Sequence, residues 1–284
     1  MSIRNYIRHA YRLIAPRLYG RQHLKLLLQT SITNLDERTR QIVLATDFFT
    51  GMVSPIPIRA PFGDSVLVVA PHQDDEAIGC GGALALQVQS GANAHIVLLQ
   101  DGSYEAEESG MTRAEMTALR NAESKRAAAV LGMESPDYFD YADLAGNARE
   151  AAARLERIIR DRKVDAIFAP FVLDNHPDHR TAAYLVADAL ASISWDVRVL
   201  GYEVWGYCIP NVVVVIDDVI QKKLDMLACF PFANSAVDYV HSTKGLNMYH
   251  SRLLGTGLCR YAERFFELPR KDYIDFIAQV RPQF

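Results

Sequence analysis

The pattern of apolar and polar positions changes character near residue 65. Val66 to Ala70 is a short, wholly apolar, β-branched run, which predicts a strand buried on both faces of a parallel sheet. Ala77 to Gln89 then reads as a helix, Ala94 to Leu99 as a second strand, and Arg113 to Leu131 as a long Ala-rich helix stopped by Gly132. Tyr138 to Tyr141 (a short strand), Ala148 to Arg160 (helix), Asp165 to Ala169 (another buried strand) and Thr181 to Leu190 (helix) continue the series. Val197 to Glu203 and Val212 to Ile216 predict late strands, and Val219 to Cys229 a further helix. Repeated strand-helix units imply right-handed crossovers, hence an α/β fold: a Rossmann-like three-layer sandwich with a mostly parallel sheet. The polar, Gly-containing segment from Asn234 to Gly257 reads as a lid or an ordinary connection.

Before residue 65 the pattern is different. Residues 1–30 contain Arg4, Arg8, Arg12, Arg17, Arg21 and Lys25 and no acid, as in a basic amphipathic helix. Two roles fit it: a foot on an anionic membrane or glycolipid surface, or a solvated helix packed on the main domain. Pro55, Pro57, Pro61 and Gly63 then punctuate the chain. The expected organisation is a basic helical N-terminal extension over residues 1–62 and one catalytic domain over 63–284.

Composition narrows the function classes. The 284 residues carry 30 Lys+Arg against 34 Asp+Glu, a net charge of -4, so no global positive surface favours nucleic acid. Half the residues are hydrophobic, mean hydropathy is -0.02, and no apolar run reaches the roughly 20 residues that span a bilayer. Cys80, Cys208, Cys229 and Cys259 lie far apart without a Cys-x-x-Cys pair, which points to free thiols. These features together predict a cytoplasmic protein, with contact at the inner membrane face if the basic segment is a foot.

Candidate chemistry lies where the strands end, because ligands of such folds bind outside the strand carboxyl ends. Pro71-His72-Gln73-Asp74-Asp75-Glu76 follows the first buried strand, and Asp174-Asn175-His176-Pro177-Asp178-His179 follows the later one. Clustered carboxylates repel and raise one another's pKa unless a cation compensates, so a divalent metal accounts for both clusters. His72 and Asp75 at i, i+3, with His179, supply two nitrogens and one carboxylate, a set suited to Zn²⁺ with an open position for water. Asp74 is then free to act as general base, His176 as general acid or oxyanion donor, and Asp178 as a partner for a histidine ring. A lone His-x-x-Asp more often caps a helix; the second cluster is what reverses that reading. Gly79-Cys80-Gly81-Gly82 fails the dinucleotide-binding spacing and follows the acids, so these glycines instead let the helix approach the sheet.

The same residues carry a family resemblance. Pro71 to Glu76, Gln100-Asp101-Gly102, Arg120-x-x-Glu123 leading to Leu131-Gly132, and His176 to His179 resemble the signatures of the PIG-L/LmbE-like zinc-dependent N-acetylglucosaminyl deacetylases. Tyr202 to Trp205, Ile216 to Lys223 and Tyr261 to Phe265 are similar to downstream blocks of bacterial members, so the resemblance covers about residues 64–268. It implies His72, Asp75 and His179 as metal ligands, Asp74 as base, His176 as the electrostatic or acid partner, and Arg120 lining the sugar pocket. It also implies a zinc hydrolase that removes the acetyl group from a GlcNAc-type glycoconjugate or glycolipid, with Fe²⁺ or another divalent ion as the alternative metal. Gln73 stands where the family has proline, and Asp174 where some members have tyrosine. Two other readings share these residues: a zinc hydrolase of another amide or ester, and a non-catalytic sugar-binding relative.

Overall fold

The computed structural model describes residues 55–255 and 257–281. The basic segment 1–30, and nearly all of the expected extension, lie outside the described residues. Among these, eight strands form one sheet: β1 (Ile56–Ile58), β2 (Ser65–Ala70), β3 (Asn93–Gln100), β4 (Asp137–Tyr141), β5 (Ala166–Pro170), β6 (Arg198–Tyr202), β7 (Val212–Val215) and β8 (Ala262–Pro269). Their spatial order is β1-β7-β8-β6-β5-β2-β3-β4. All neighbouring pairs are parallel except those made by β8, which runs antiparallel to both β6 and β7.

Helices cover both faces: α1 (Asp75–Gln89), α2 (Arg113–Val130), α3 (Ala148–Asp161), α4 (Pro177–Leu190), α5 (Ile220–Leu227), α6 (Pro231–Ala236), α7 (Tyr239–His250) and α8 (Arg270–Val280). β2 is buried throughout, and its side chains alternate between two cores. Val66, Val68 and Ala70 pack with residues of α1, α2 and α5. Leu67 and Val69 pack with residues of α3, α4 and α8 on the other face. This is the expected three-layer α/β sandwich.

Four features differ from expectation. α4 starts at Pro177 instead of Thr181, since proline is pre-organised for the first helical position and its missing N–H costs nothing there. Ile56–Ile58, placed with the extension by the sequence, is an edge strand paired with β7. The segment 234–257 is mostly helical, with α7 ending in a 3₁₀ turn at Ser251–Leu254. β8 was not anticipated as a strand because its buried positions include Glu263 and Arg264, whose charges hide an apolar pattern and are instead paired with Lys223 and Glu203.

The close approach of α1 to the sheet does depend on glycine. A Cβ at Gly79 would sit 2.1 Å from the Tyr202 ring, and one at Gly82 would sit 2.7 Å from Ile216. The helix is kinked at Cys80 (φ -141°, ψ 16°), and the buried Glu263 carboxylate accepts the Gly82 and Ala83 N–H groups at 2.8 and 2.7 Å beyond the kink. Lys223 Nζ closes the arrangement, 2.5 Å from Glu263 and 2.8 Å from the Ile78 carbonyl. The four cysteines are unpaired. No helix among the described residues is long and apolar enough to cross a membrane.

Candidate metal centre and its surroundings

The chain runs from β2 to β3 to β4 in one direction, then returns to place β5 on the other side of β2. The carboxyl ends of β2 and β5 therefore flank a switch point, where neighbouring loops diverge and leave a crevice. The two His/Asp clusters are the loops that leave those strands.

Asp74 precedes α1 with φ 122° and ψ -26°, a backbone conformation a non-glycine residue adopts only when its surroundings enforce it. Here the enforcing contacts are the Asp74 N–H on Glu76 Oε2 at 3.1 Å and the Asp74 carbonyl, which accepts from Ala77 and Ile78. The Asp74 side chain does not cap the helix. It points instead at Arg120, 3.3 Å from the guanidinium. Asp75, one residue on, accepts from the His72 backbone N–H at 3.0 Å and lies 3.1 Å from His72 Nδ1.

His179 sits in the first turn of α4, fully buried, with Nε2 3.4 Å from Asp75 Oδ2. The His72 and His179 rings have centroids 5.3 Å apart. Ligands about 2.0–2.2 Å from one Zn²⁺ at tetrahedral or octahedral angles are roughly 3.0–3.4 Å from each other, the spacing these donors show. Both ring nitrogens of His179 are buried without an aligned hydrogen bond, a condition that an ion on Nε2 would relieve for that atom. The donor set and the orphaned nitrogen suit a divalent metal, which His72, His176 and His179 could hold, as could His72 and His179 with Asp75.

The remaining nitrogens face carboxylates. His72 Nε2 is 3.4 Å from Asp178, and His179 Nδ1 is 3.1 Å from the buried Asp174. Such carboxylates orient ligating imidazoles and raise their basicity. Asp178 has the place its motif suggested. Asp174 is the residue whose part the sequence reading missed; its position five before His179 in the same post-strand loop was the available signal.

His176 caps α4, its Nδ1 accepting the Asp178 N–H at 3.2 Å. Its ring is 4.9 Å from that of His72 and 4.8 Å from that of His179, and one nitrogen from each of the three lies within 4.8 Å of the others. Because Nδ1 is an acceptor, neutral His176 carries its proton on Nε2, the nitrogen left free to donate.

Electrostatics separate these groups. Burial opposes charge on His72 and His179, but Asp178 and Asp75 override it at the first, raising its pKa to about 9, and Asp75 and Asp174 at the second, to about 10. Asp75 is held far below the usual carboxylate range despite burial, chiefly by His179 and then His72. Burial, and next the Asp75 charge, push Asp74 up to about 7. His176 is lowered by burial and by the other two imidazoles. Two adjacent carboxylates therefore diverge, one a permanent anion and one able to exchange a proton near neutrality.

Arg120 is buried, at 6% exposure. Its guanidinium bonds the Gln73 carbonyl, Asp74 and, at 2.8 Å, Glu123. Glu123 also accepts the Phe232 N–H at 3.0 Å, so the pair joins Asp74 to the start of α6. Gln73 is a strut too: its amide donates to the Gln100 carbonyl and to Asn121 at 3.1 and 3.0 Å. Of the aromatics at the end of β6 and beyond it, Tyr202 is buried with its hydroxyl on the Val69 carbonyl, Tyr207 lies half-buried under Arg264, and Trp205 is open, at 56% exposure.

A mostly parallel α/β sheet with a His/Asp cluster at its switch point defines the class. Residues 67–190 match the family profile described as PIG-L: GlcNAc-PI de-N-acetylase. A 164-residue stretch is 30% identical to the diacetylchitobiose deacetylase of Thermococcus kodakarensis, covering 56% of this chain and 58% of that protein, so the chain spans under two thirds of the relative's length. The solved N,N'-diacetylchitobiose deacetylase of Pyrococcus horikoshii superposes with a TM-score of 0.66 at 22% identity, over 85% of this chain and 96% of its own. The 4-carboxy-2-hydroxymuconate hydratase of Pseudomonas putida does so with 0.61 at 23% identity, over 72% and 95%. At these identities the two structures speak to the fold. Over residues 67–190 the chain is similar to the PIG-L family.

Proposed function

We propose that this protein is a metal-dependent deacetylase that removes the acetyl group from the amine of a GlcNAc-type glycoconjugate. The observation that carries the reading is the convergence of His72 Nδ1 and His179 Nε2 on Asp75 Oδ2 at 3.1 and 3.4 Å, with the Asp74 carboxylate beside them and outside the ligand set. The resemblance to a diacetylchitobiose deacetylase supports the substrate class.

A divalent ion at this position, Zn²⁺ by its mixed nitrogen and oxygen donors, supplies Lewis-acid polarisation of the amide carbonyl and acidifies a water. The chain's own residues do the rest. Asp74 takes a proton from the attacking water and returns it to the nitrogen as the C–N bond breaks, so that the amine leaves neutral and the acetyl group departs as acetate. His176 Nε2–H donates to the carbonyl oxygen as charge develops there. Asp174 and Asp178 keep the two ligating imidazoles in register. Arg120 and the Gln73 carbonyl fix the angle of the base.

The hydratase relative shares the fold, so the fold by itself does not select the reaction. Incubating zinc-loaded protein with N-acetylglucosamine and its β-linked oligomers and measuring free acetate tests the assignment. Asp74→Asn should retain the metal and lose about 10²–10⁴ in kcat, whereas His179→Ala should lose the metal itself. Metal loss of the same size in both variants, or no acetate from any of these sugars, contradicts it.

A further inference from the structure

We propose that Glu76 is a positioning residue for the base: it holds the peptide between Gln73 and Asp74 in a strained orientation, and through that peptide it keeps Arg120 against the Asp74 carboxylate. The proposal rests on Asp74 acting as the base of the deacetylase reading above, and specifies what fixes its geometry.

Both ends of that peptide are anchored. Gln73 is fully buried, and its side-chain amide donates to the Gln100 carbonyl at 3.1 Å and to Asn121 Oδ1 at 3.0 Å. The Asp74 carbonyl accepts from the Ala77 and Ile78 N–H groups at 3.0 and 2.9 Å, in the first turn of α1. A planar peptide unit between two anchored residues can still turn over as a plate, changing only the ψ before it and the φ after it. At φ 122° and ψ -26°, Asp74 lies outside the regions open to a residue with a Cβ. Turning the 73–74 peptide over would bring its φ to about -60° at the same ψ, within ordinary right-handed helix. The structure holds the costlier of the two settings.

Two buried side chains account for that setting, one on each side of the plate. The Gln73 carbonyl accepts from Arg120 Nη2, and the Asp74 N–H donates to Glu76 Oε2 at 3.1 Å. In the other setting the carbonyl would face the Glu76 oxygen and the N–H the guanidinium, so both bonds would be lost together. Arg120 Nη2 also reaches Asp74 Oδ2 at 3.3 Å, so the nitrogen that holds the carbonyl is the one that aims the base. The second Glu76 oxygen, Oε1, is buried without a hydrogen-bond partner, and the residue as a whole is 0% exposed. Glu76 therefore meets no substrate and acts through the Asp74 N–H. That role requires an acceptor oxygen and not a charge.

Two substitutions separate the acceptor from the charge. Glu76→Leu keeps the volume without the acceptor. In the zinc-loaded enzyme acting on N-acetylglucosamine and its oligomers, it should lower kcat about 10–100-fold while KM and zinc content change little. Glu76→Gln, which keeps an acceptor oxygen, should restore most of the rate. Crystals of the leucine variant should show Asp74 at a negative φ, and those of the glutamine variant the positive φ of the wild type. Glu76→Met, also without an acceptor, takes the place of Glu76→Leu if that variant does not fold; failure of both to fold would make Glu76 a structural support and overturn the proposal. Equal losses of kcat in Glu76→Leu and Glu76→Gln, or a positive φ retained in Glu76→Leu, would overturn it too and leave the deacetylase reading standing. A wild-type protein that releases no acetate overturns the deacetylase reading instead, and the crystals alone then decide whether Glu76 holds the peptide.

Discussion

Asp174 Oδ1 lies 3.1 Å from His179 Nδ1 in a fully buried contact, and the same carboxylate's other oxygen accepts from Trp205 and Gly206. One side chain therefore orients a proposed ligand and fastens the loop beside it. Asp174→Asn keeps the shape but removes the charge that holds His179 in its tautomer. Competition with a chelating dye should show zinc affinity lowered about 10–100-fold; an affinity within twofold of wild type would mean that Asp174 serves the loop alone.

Arg120 separates two roles by pH. Its guanidinium, 3.3 Å from Asp74, favours the ionised base and pulls the Asp74 pKa downward. Asp74 must be deprotonated to accept a proton, so rate falls as pH drops through its pKa, and bound metal places that limb below the value of about 7. Removing the guanidinium in Arg120→Gln should move the acid limb of kcat to higher pH with little change in KM. A raised KM with an unmoved limb would return Arg120 to the sugar pocket.

Metal binding must displace protons. Without metal, His72 and His179 stay protonated up to about 9 and 10. An ion that takes Nδ1 of one and Nε2 of the other at pH 7.5 should expel about two protons, read by calorimetry in buffers of different ionisation enthalpy. The sign for stability follows from pKa values raised on folding. Their contribution is complete below the unfolded value of 6.5 and is lost as pH rises through 9 and 10, so the metal-free protein should melt at lower temperature at pH 10 than at pH 8. Release of under half a proton would show that the imidazoles are not the ligands.

Lys223 and Glu263 form a buried pair that holds both sides of the α1 kink. Lys223→Ala leaves the Glu263 carboxylate buried without its cation and should lower stability by about 3–5 kcal/mol in urea unfolding. The double change Lys223→Met, Glu263→Gln should recover much of that loss. A single variant within about 1 kcal/mol of wild type would show that the pair is not what bolts the kink.

What the sequence revealed followed from burial on both faces. β2 and β5 were legible because strands in the middle of a parallel sheet read as unbroken apolar runs, and once they were placed, the side chains after them pointed to one edge. His72, Asp74, Asp75, His176 and His179 gather there. β8 was illegible because Glu263 and Arg264 are buried with partners from distant parts of the chain, and pairing across the fold leaves no local periodicity. The same reason concealed Arg120: as a residue in mid-helix it reads as surface, and only the packing of α2 against the post-β2 loop turns it toward Asp74. α6 and α7 were hidden by polar, glycine-containing sequence whose helicity depends on what it packs against.

In the proposed centre one ion is shared by two loops. Anomalous diffraction at the zinc edge from crystals of the zinc-loaded protein locates that ion without reference to activity. The predicted result is a single strong peak about 2.0–2.2 Å from His72 Nδ1, Asp75 Oδ2 and His179 Nε2, with His176 outside the coordination shell. A peak bonded to His176 in place of Asp75, or none between the ends of β2 and β5, would contradict it.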